Sequence, residues 1–268
     1  MELKNITIGS DPEFFATDGK KLIPSYMFLP GTKEEPFELE GGYFVQRDNV
    51  LVEGNIPPAS TAKGFESNMN SLKDIISINF LKPQGLVLLS QDSGNFDKKD
   101  LNHPEAITLG CSAYETVWAT QSTQNVKDLI TSTKRPAGFH IHVGYEFADS
   151  EDAAFKSITD TIIAKLFDYF VILPSYKIHL DEFRNKYYGG LGKIRHKSYG
   201  VELRSLGGFF TQERYFQPLF NQIQYIIELL RDEDIFFSVF HSSSVEDLDK
   251  IPALANAIET KTKVLTTV

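Results

Sequence analysis

The sequence predicts an α+β fold: a mainly antiparallel, curved sheet with helices packed on its outer face. Several short stretches alternate apolar and polar residues with the period of two that a half-buried strand requires. They are separated by irregular segments as well as by helices, unlike a regular βαβ array. Longer stretches carry apolar residues at helical spacing, and there is no internal repeat, coiled coil or low-complexity run.

In "LKNITIGSDPEFFA", Ile6 and Ile8 alternate with Asn5 and Thr7, and Pro12 marks a strand edge or bulge. A polar, Gly/Pro-rich stretch follows, "LPGTKEEPFELEGG". "DNVLVEGNIPP" alternates again and is stopped by Pro57 and Pro58. Thr61 is the expected cap of a helix through "AKGFESNMNSLKDIISINFL", and "GLVLLS" reads as a short strand. Residues 92–136 are loop-rich, with no pattern that places them. "GFHIHVGY", residues 138–145, is a Gly-bracketed strand. Asp149 or Ser150 is the expected cap of a long helix through "EDAAFKSITDTIIAKLFDYFVIL", ended by Pro174. Residues 181–198, "DEFRNKYYGGLGKIRHKS", are basic and Gly-rich and read as a mobile loop of local positive potential. "SYGVELRSLGG" is a further strand, followed by helices in "ERYFQPLFNQIQYIIELLRD" and "VEDLDKIPALANAIET".

The totals bound the function. A chain of 268 residues, 41% apolar and 24% charged, is an ordinary soluble globular composition, long enough to hide roughly 70–75% of its unfolded surface and still hold a polar pocket. A net charge of -9 disfavours bulk nucleic acid as a partner, because the whole-molecule field repels a phosphate backbone. Cys111 is the single cysteine, which excludes an internal disulfide and a thiolate zinc cluster; by itself it reads as a small buried hydrophobe. The start "MELKNITIGSDPEFF" lacks the basic, apolar pattern of a signal peptide, and no run approaches the roughly 18 apolar residues of a membrane span. The expected location is the cytoplasm.

Side chains two apart on a strand project together, about 7 Å apart. His140 and His142 therefore share one face while Phe139, Ile141 and Val143 share the other. The same alternation pairs Glu53 with Asn55, Glu202 with Arg204, and Asp11 with Glu13 if the chain stays extended through Pro12. A solvated sheet face explains any one pair. Together, four carboxylates, two imidazoles, an amide and a guanidinium point to one polar chamber. Carboxylates about 5 Å apart repel by roughly 3 kcal/mol at an effective dielectric near 20, so a cation is expected between them. An oxygen-rich set with one His suits Mg²⁺ or Mn²⁺ better than zinc. Arg184, Lys193, Arg195 and Lys197 precede the Glu202 strand, where they could meet the phosphates of a metal-bound nucleotide or simply form a solvated loop.

The blocks "GSDPEFF", "LPGTKEEP", "DNVLVEGNIPPA", "GFHIHVGY" and "KSYGVELRSLGG", in that order from about residue 8 to 210, resemble the phage-type carboxylate-amine ligases of type 2. These are amidoligases of the glutamine synthetase and glutamate-cysteine ligase superfamily. The resemblance implies a glutamine synthetase-like catalytic fold over residues 1–268, with divalent metals and ATP on the inner sheet face. It implies Asp11, Glu13, Glu53, His140 and Glu202 at the metal site, and His142, Arg204 and the Arg195/Lys197 segment at the nucleotide phosphates. Asn55 is a substrate contact or a supporting group. Ser10 and Gly54 depart from the family pattern, both small and off the pocket face. Residues beyond about 215 have no distinct match; the helices from about 213 are read as packing, an oligomer contact or a substrate lid.

The implied reaction phosphorylates a carboxylate and lets an amine displace the phosphate. Glu53, His142 and Arg204 are the expected catalytic groups, with Arg204 stabilising the transferring phosphoryl. The glycine-rich segment 187–192 is the expected cover, and the proton acceptor is a cluster carboxylate or His142. The partners are a small-molecule or peptide carboxylate and an amine. Three other readings remain: a zinc hydrolase using His140 and His142 with Asp11 or Glu53, a non-enzymatic phage binding module, and an ATP-dependent carboxylate kinase that stops at the acyl phosphate.

Overall fold

A computed structural model describes residues 2–107, 115–118, 129, 131–148 and 153–254. Its strands are β1 (Leu3–Thr17), β2 (Leu22–Ile23), β3 (Phe37–Leu39), β4 (Tyr43–Asp48), β5 (Leu51–Asn55), β6 (Val87–Leu89), β7 (Ser93–Asn95), β8 (Glu115–Thr116), β9 (Lys134–Pro136), β10 (Phe139–Phe147), β11 (Lys193–Lys197) and β12 (Gly200–Leu203). The helices are α1 (Ala62–Ile76), α2 (Pro104–Ile107), α3 (Ala153–Phe167), α4 (Leu173–Ile178), α5 (Glu182–Tyr187), α6 (Phe216–Leu229) and α7 (Glu233–His241). The main sheet runs β3-β4-β5-β1-β10-β12-β11-β8, with β2 and β6 also on β1; β7 and β9 pair separately. Every pairing is antiparallel. The fold is mixed α and β around a large antiparallel sheet, as the interrupted alternation predicts.

One face of that sheet is apolar. Ile8, Phe14, Val52, Phe139, Ile141, Val143, Ile194, Val201 and Leu203 are each at most 1% exposed, and leaving water is worth roughly 1.5–3 kcal/mol for each such side chain. Three helices cover this face, through Phe65 and Met69 of α1, Ile163 and Leu166 of α3, and Phe216 and Phe220 of α6. Phe216 meets both Phe65 and Phe139, at ring separations of 6.2 Å, so α6 belongs to the same core. Alternation then sends the intervening polar residues to the opposite face. β1 stays extended through Pro12: the lost donor removes one ladder bond, and the next N–H, that of Glu13, bonds the Gly138 carbonyl at 2.9 Å.

Thr61 caps α1, its hydroxyl accepting the Gly64 N–H at 3.1 Å. Other expectations are corrected. Pro174 does not end the helix after residue 153. A wide turn at Asp168–Ile172 keeps helical dihedrals, and the proline falls at the start of α4, where a missing N–H is tolerated. Residues 181–198 are not one loop but α5, a glycine turn and β11. That glycine turn is held in place: Ser205 Oγ donates to the Gly190 carbonyl at 3.0 Å, and Val117 N–H to that of Gly192 at 3.1 Å. It is not an open cover. The start of "VEDLDKIPALANAIET" is a tight 3-10 helix, Val245–Lys250, closed by a reciprocal cap between Ser244 and Asp247. Cys111 and the Asp149 or Ser150 cap lie outside the described residues. Among those described, no helix is long and apolar enough to cross a membrane.

Candidate functional site

Sheet register assembles the polar face. Gln46 lies opposite Glu53, and Glu53 opposite Glu13, across β4, β5 and β1. Asp11 lies opposite His140. His142 lies opposite Glu202, and Glu202 opposite Arg195, across β10, β12 and β11. A pocket of about 470 Å³ opens over these residues, lined among others by Asp11, Lys33, Asp48, Glu53, Asn55, His140, His142, Arg195, Lys197 and Arg204. His140 links the ends: Nε2 is 3.8 Å from Glu13 Oε1, and Nδ1 is 3.9 Å from Glu202 Oε1.

Glu202 is fully buried and surrounded by cations. Arg204 bonds it directly, Lys197 Nζ lies at 2.8 Å and Arg195 Nη1 at 3.1 Å. Burial and the neighbouring Asp11 oppose its charge, yet Arg204, His140 and Lys197 hold its carboxyl down to about 2. Asp11 sits between the imidazoles, 3.3 Å from His140 Nδ1 and 3.0 Å from His142 Nε2. Burial again works against ionisation, and the two histidines outweigh it, leaving Asp11 well below the usual carboxylate range. The other ring nitrogen of His142 meets the Tyr199 hydroxyl. The chain's own side chains therefore already partner Asp11 and Glu202.

The other half differs. Glu13 accepts the Gly138 N–H at 2.5 Å and the Tyr188 hydroxyl at 2.8 Å. Only glycine fits at 138, since a Cβ there would come within 2.5 Å of His140 Nε2. Glu53, 5% exposed, takes its hydrogen bond from the neutral Gln46 amide at 2.9 Å. Burial first, then the charges of Asp48, Asp11 and Glu13, push its carboxyl well above the ordinary value.

Of the basic residues read from sequence, Arg195, Lys197 and Arg204 reach the chamber. Arg184 does not. It is 3% exposed, and its guanidinium donates to the carbonyls of Ala137, Arg204, Ser205 and Leu206. It fastens the segment behind Arg204, because a basic residue in a basic stretch can serve the backbone as readily as a ligand. Lys193 opens β11, buried and outside the chamber lining. Tyr188, Gln46, Asp48 and Lys33 were not singled out by pattern. Tyr188 donates to Glu13 and accepts from Arg204 Nη2 at 3.1 Å, bridging the two halves. Its signal was the tyrosine pair before "GGLG", obscured by reading 181–198 as a loop.

Beside the chamber lies a pocket of about 350 Å³, lined by Thr7, Gly9, Ser10, Ile56, Pro58 and Gly144 and sharing Asn55, His142 and Tyr199 with it, so Ser10, expected off the pocket face, borders this second pocket. Its own lining carries no formal charge. Ligand atoms of Asp11, His142 and Glu202 all lie within 4.8 Å of one another, close enough for one ion.

No family model and no curated protein matches this chain. Among solved structures, one described as "Crystal structure of novel glutamine synthase homolog" is similar over 97% of this chain and 69% of its own, at 12% identity and a TM-score of 0.35. A likeness this distant decides nothing about activity.

Proposed function

We propose that the chamber phosphorylates a substrate carboxylate with ATP and transfers the acyl group to an amine. One observation carries this reading: Glu53, a buried carboxylate held by a neutral amide, shares a single chamber with Arg195, Lys197 and Arg204. A cation-poor acidic half beside a basic half is what a metal-bound polyphosphate requires. The order of sequence blocks supports ligation over other uses of a nucleotide.

The donor set fits a hard divalent ion, since Asp11 and Glu53 line the chamber and ligand atoms of Asp11, Glu202 and His142 lie within 4.8 Å of one another; Glu13 lies outside the lining with both oxygens hydrogen-bonded. Mg²⁺ or Mn²⁺ held there would supply charge neutralisation for the phosphoryl oxygens. Arg195 and Lys197, with side chains 26% and 28% exposed, exchange their bonds to Glu202 for phosphate oxygens. Arg204, fixed by Glu202 and Tyr188, keeps its charge beside the transferring phosphoryl and later beside the tetrahedral oxyanion. The neutral pocket takes the uncharged base of the nucleotide. A carboxylate oxygen attacks the γ-phosphorus and ADP leaves with the bonding pair. The amine nitrogen then attacks the acyl carbon and phosphate leaves. The amine's proton passes to a chamber carboxylate or to His142.

The test is ADP release with Mg·ATP and a lysate extract, hydroxylamine trapping of the acyl phosphate, and mass spectrometry of the ATP-dependent amide. Glu53→Ala and His140→Ala are expected to abolish ADP formation with unfolding curves retained. Full turnover in either variant would remove that residue from the mechanism, and turnover without nucleotide would favour the zinc-hydrolase reading.

A further inference from the structure

The "PGTKEEP" segment is unused by the mechanism above, yet it is built with care for one side chain. Arg47 of β4 fastens it, its N–H bonding the Gly31 carbonyl at 3.3 Å and its Nη1 the Leu29 carbonyl at 3.0 Å. Gly31 has φ +78°, and a Cβ there would come within 2.6 Å of both Phe37 N and Val45 O, so only glycine lets the segment lie on β3 and β4. A tight turn then closes. Thr32 N–H bonds the Glu35 carbonyl at 3.0 Å, and the Thr32 hydroxyl accepts the Glu35 N–H at 3.2 Å. The turn presents Lys33 to the acidic half of the chamber, with Nζ 3.4 Å from Asp48 Oδ2. Burial works against the ammonium, and Asp48, Glu53 and Glu13 together more than restore it.

We infer that Lys33 is a tethered counter-cation of the acidic half: paired with Asp48 and lining the same chamber as Glu53, it competes with a divalent ion for their negative charge. The inference rests on the reading that such an ion binds there. Geometry suits a displaceable cation: the Lys33 side chain is 43% exposed against 14% for Asp48, and its flexible stem can withdraw when a doubly charged ion arrives. Contrast Arg204, fixed between Glu202 and Tyr188, which no ion would dislodge. The affinity of the site for metal is therefore set below what its carboxylates alone would give, and metal binding frees a cation at the chamber mouth.

The experiment is Mn²⁺ titration without nucleotide, followed by the electron paramagnetic resonance signal of free Mn²⁺, on wild type, Lys33→Met and Lys33→Arg. Removing one positive charge beside the site should tighten Mn²⁺ about three- to tenfold in Lys33→Met, while Lys33→Arg, keeping the charge, stays near wild type. Equal or weaker binding by folded Lys33→Met overturns the inference alone. Absence of Mn²⁺ binding in all three proteins overturns both it and the metal reading beneath it. Thermal unfolding curves confirm that each variant is folded.

Discussion

Glu202 and Glu53 stand on the same face of one sheet, with β1 and β10 between their strands, and both are nearly inaccessible to water. Their electrical conditions are opposite. Glu202 is held ionised by Arg204, His140 and Lys197, whereas Glu53 has the Gln46 amide and three neighbouring carboxylates, and is driven toward protonation. Depth alone therefore does not set a carboxylate's state; its partners do. Asp168 makes the same point outside the chamber. Fully buried, with neutral donors from Trp118, Gly192 and Ser205, it is pushed up to about 7. The chamber thus pairs one half with cations of its own chain, while in the other Glu53 has a neutral amide and Lys33 faces Asp48.

Breaking the satisfied half should have the largest effect. Arg204→Met leaves Glu202 buried without its closest partner, and loss of one member of a buried pair costs about 3–5 kcal/mol. Because Arg195 and Lys197 remain, the lower end is expected in urea unfolding at pH 7. Adding Glu202→Gln to the same chain should restore part of the loss, as the stranded charge goes with it. An Arg204→Met protein as stable as wild type would mean that Glu202 does not depend on this guanidinium.

The next effect is a pair of opposite pH slopes. Glu202 has a folded value near 2 against an ordinary 4.5, so its contribution is full above 4.5 and lost as pH falls toward 2. Glu53 is raised, so the folded state binds the extra proton: its contribution is full below 4.5 and lost as pH rises through its folded value. Urea unfolding between pH 3 and 8 should therefore show Glu202→Gln flattening the acid limb, by about 2 kcal/mol, and Glu53→Gln flattening the decline on the other side. A smaller expectation follows at fixed pH. Glu53→Gln takes away a carboxyl whose ionisation burial and neighbouring carboxylates oppose, so at the alkaline end of the series it should be no less stable than wild type, while Mn²⁺ binding weakens at least about tenfold. Clear destabilisation would show that Glu53 already has a compensating charge.

What could be read in advance follows from where each residue gets its position. Asp11, Glu13, Glu53, His140, His142 and Glu202 sit on strands whose apolar neighbours alternate with them, and Arg204 directly follows β12, so the period of two places them on a common face. β11 escaped because in "KIRHK" only Ile194 is apolar; its register comes from pairing with β12, not from its own pattern. Gln46 and Asp48 belong to β4, whose residues 43–47 lie between the Gly/Pro-rich stretch and "DNVLVEGNIPP" and carry no reading from the sequence. Lys33 lies in "LPGTKEEP", but its meeting with Asp48 depends on how Arg47 folds the segment back. Arg184 shows the reverse failure. Its charge was visible and its burial was not, since four carbonyl partners from two distant segments leave no local mark.

The finest probe converts one half into the other. Gln46 contacts Glu53 at 2.9 Å from the adjacent strand, so Gln46→Lys would put an ammonium where the amide stands, giving Glu53 the kind of partner Glu202 has. The gain in stability should be small, about 0.5 kcal/mol, because a new buried charge offsets most of the attraction it creates. The qualitative changes matter more. The Glu53 contribution should reverse its pH slope, its folded value moving toward or below 4.5, and Mn²⁺ should no longer compete for a carboxylate already neutralised. Both are readable in one protein, by unfolding between pH 4 and 8 and by free-Mn²⁺ resonance. If Gln46→Lys keeps the wild-type slope and the wild-type metal affinity together, partner charge does not distinguish the two halves, and the excess negative charge assigned to the Glu53 side is absent.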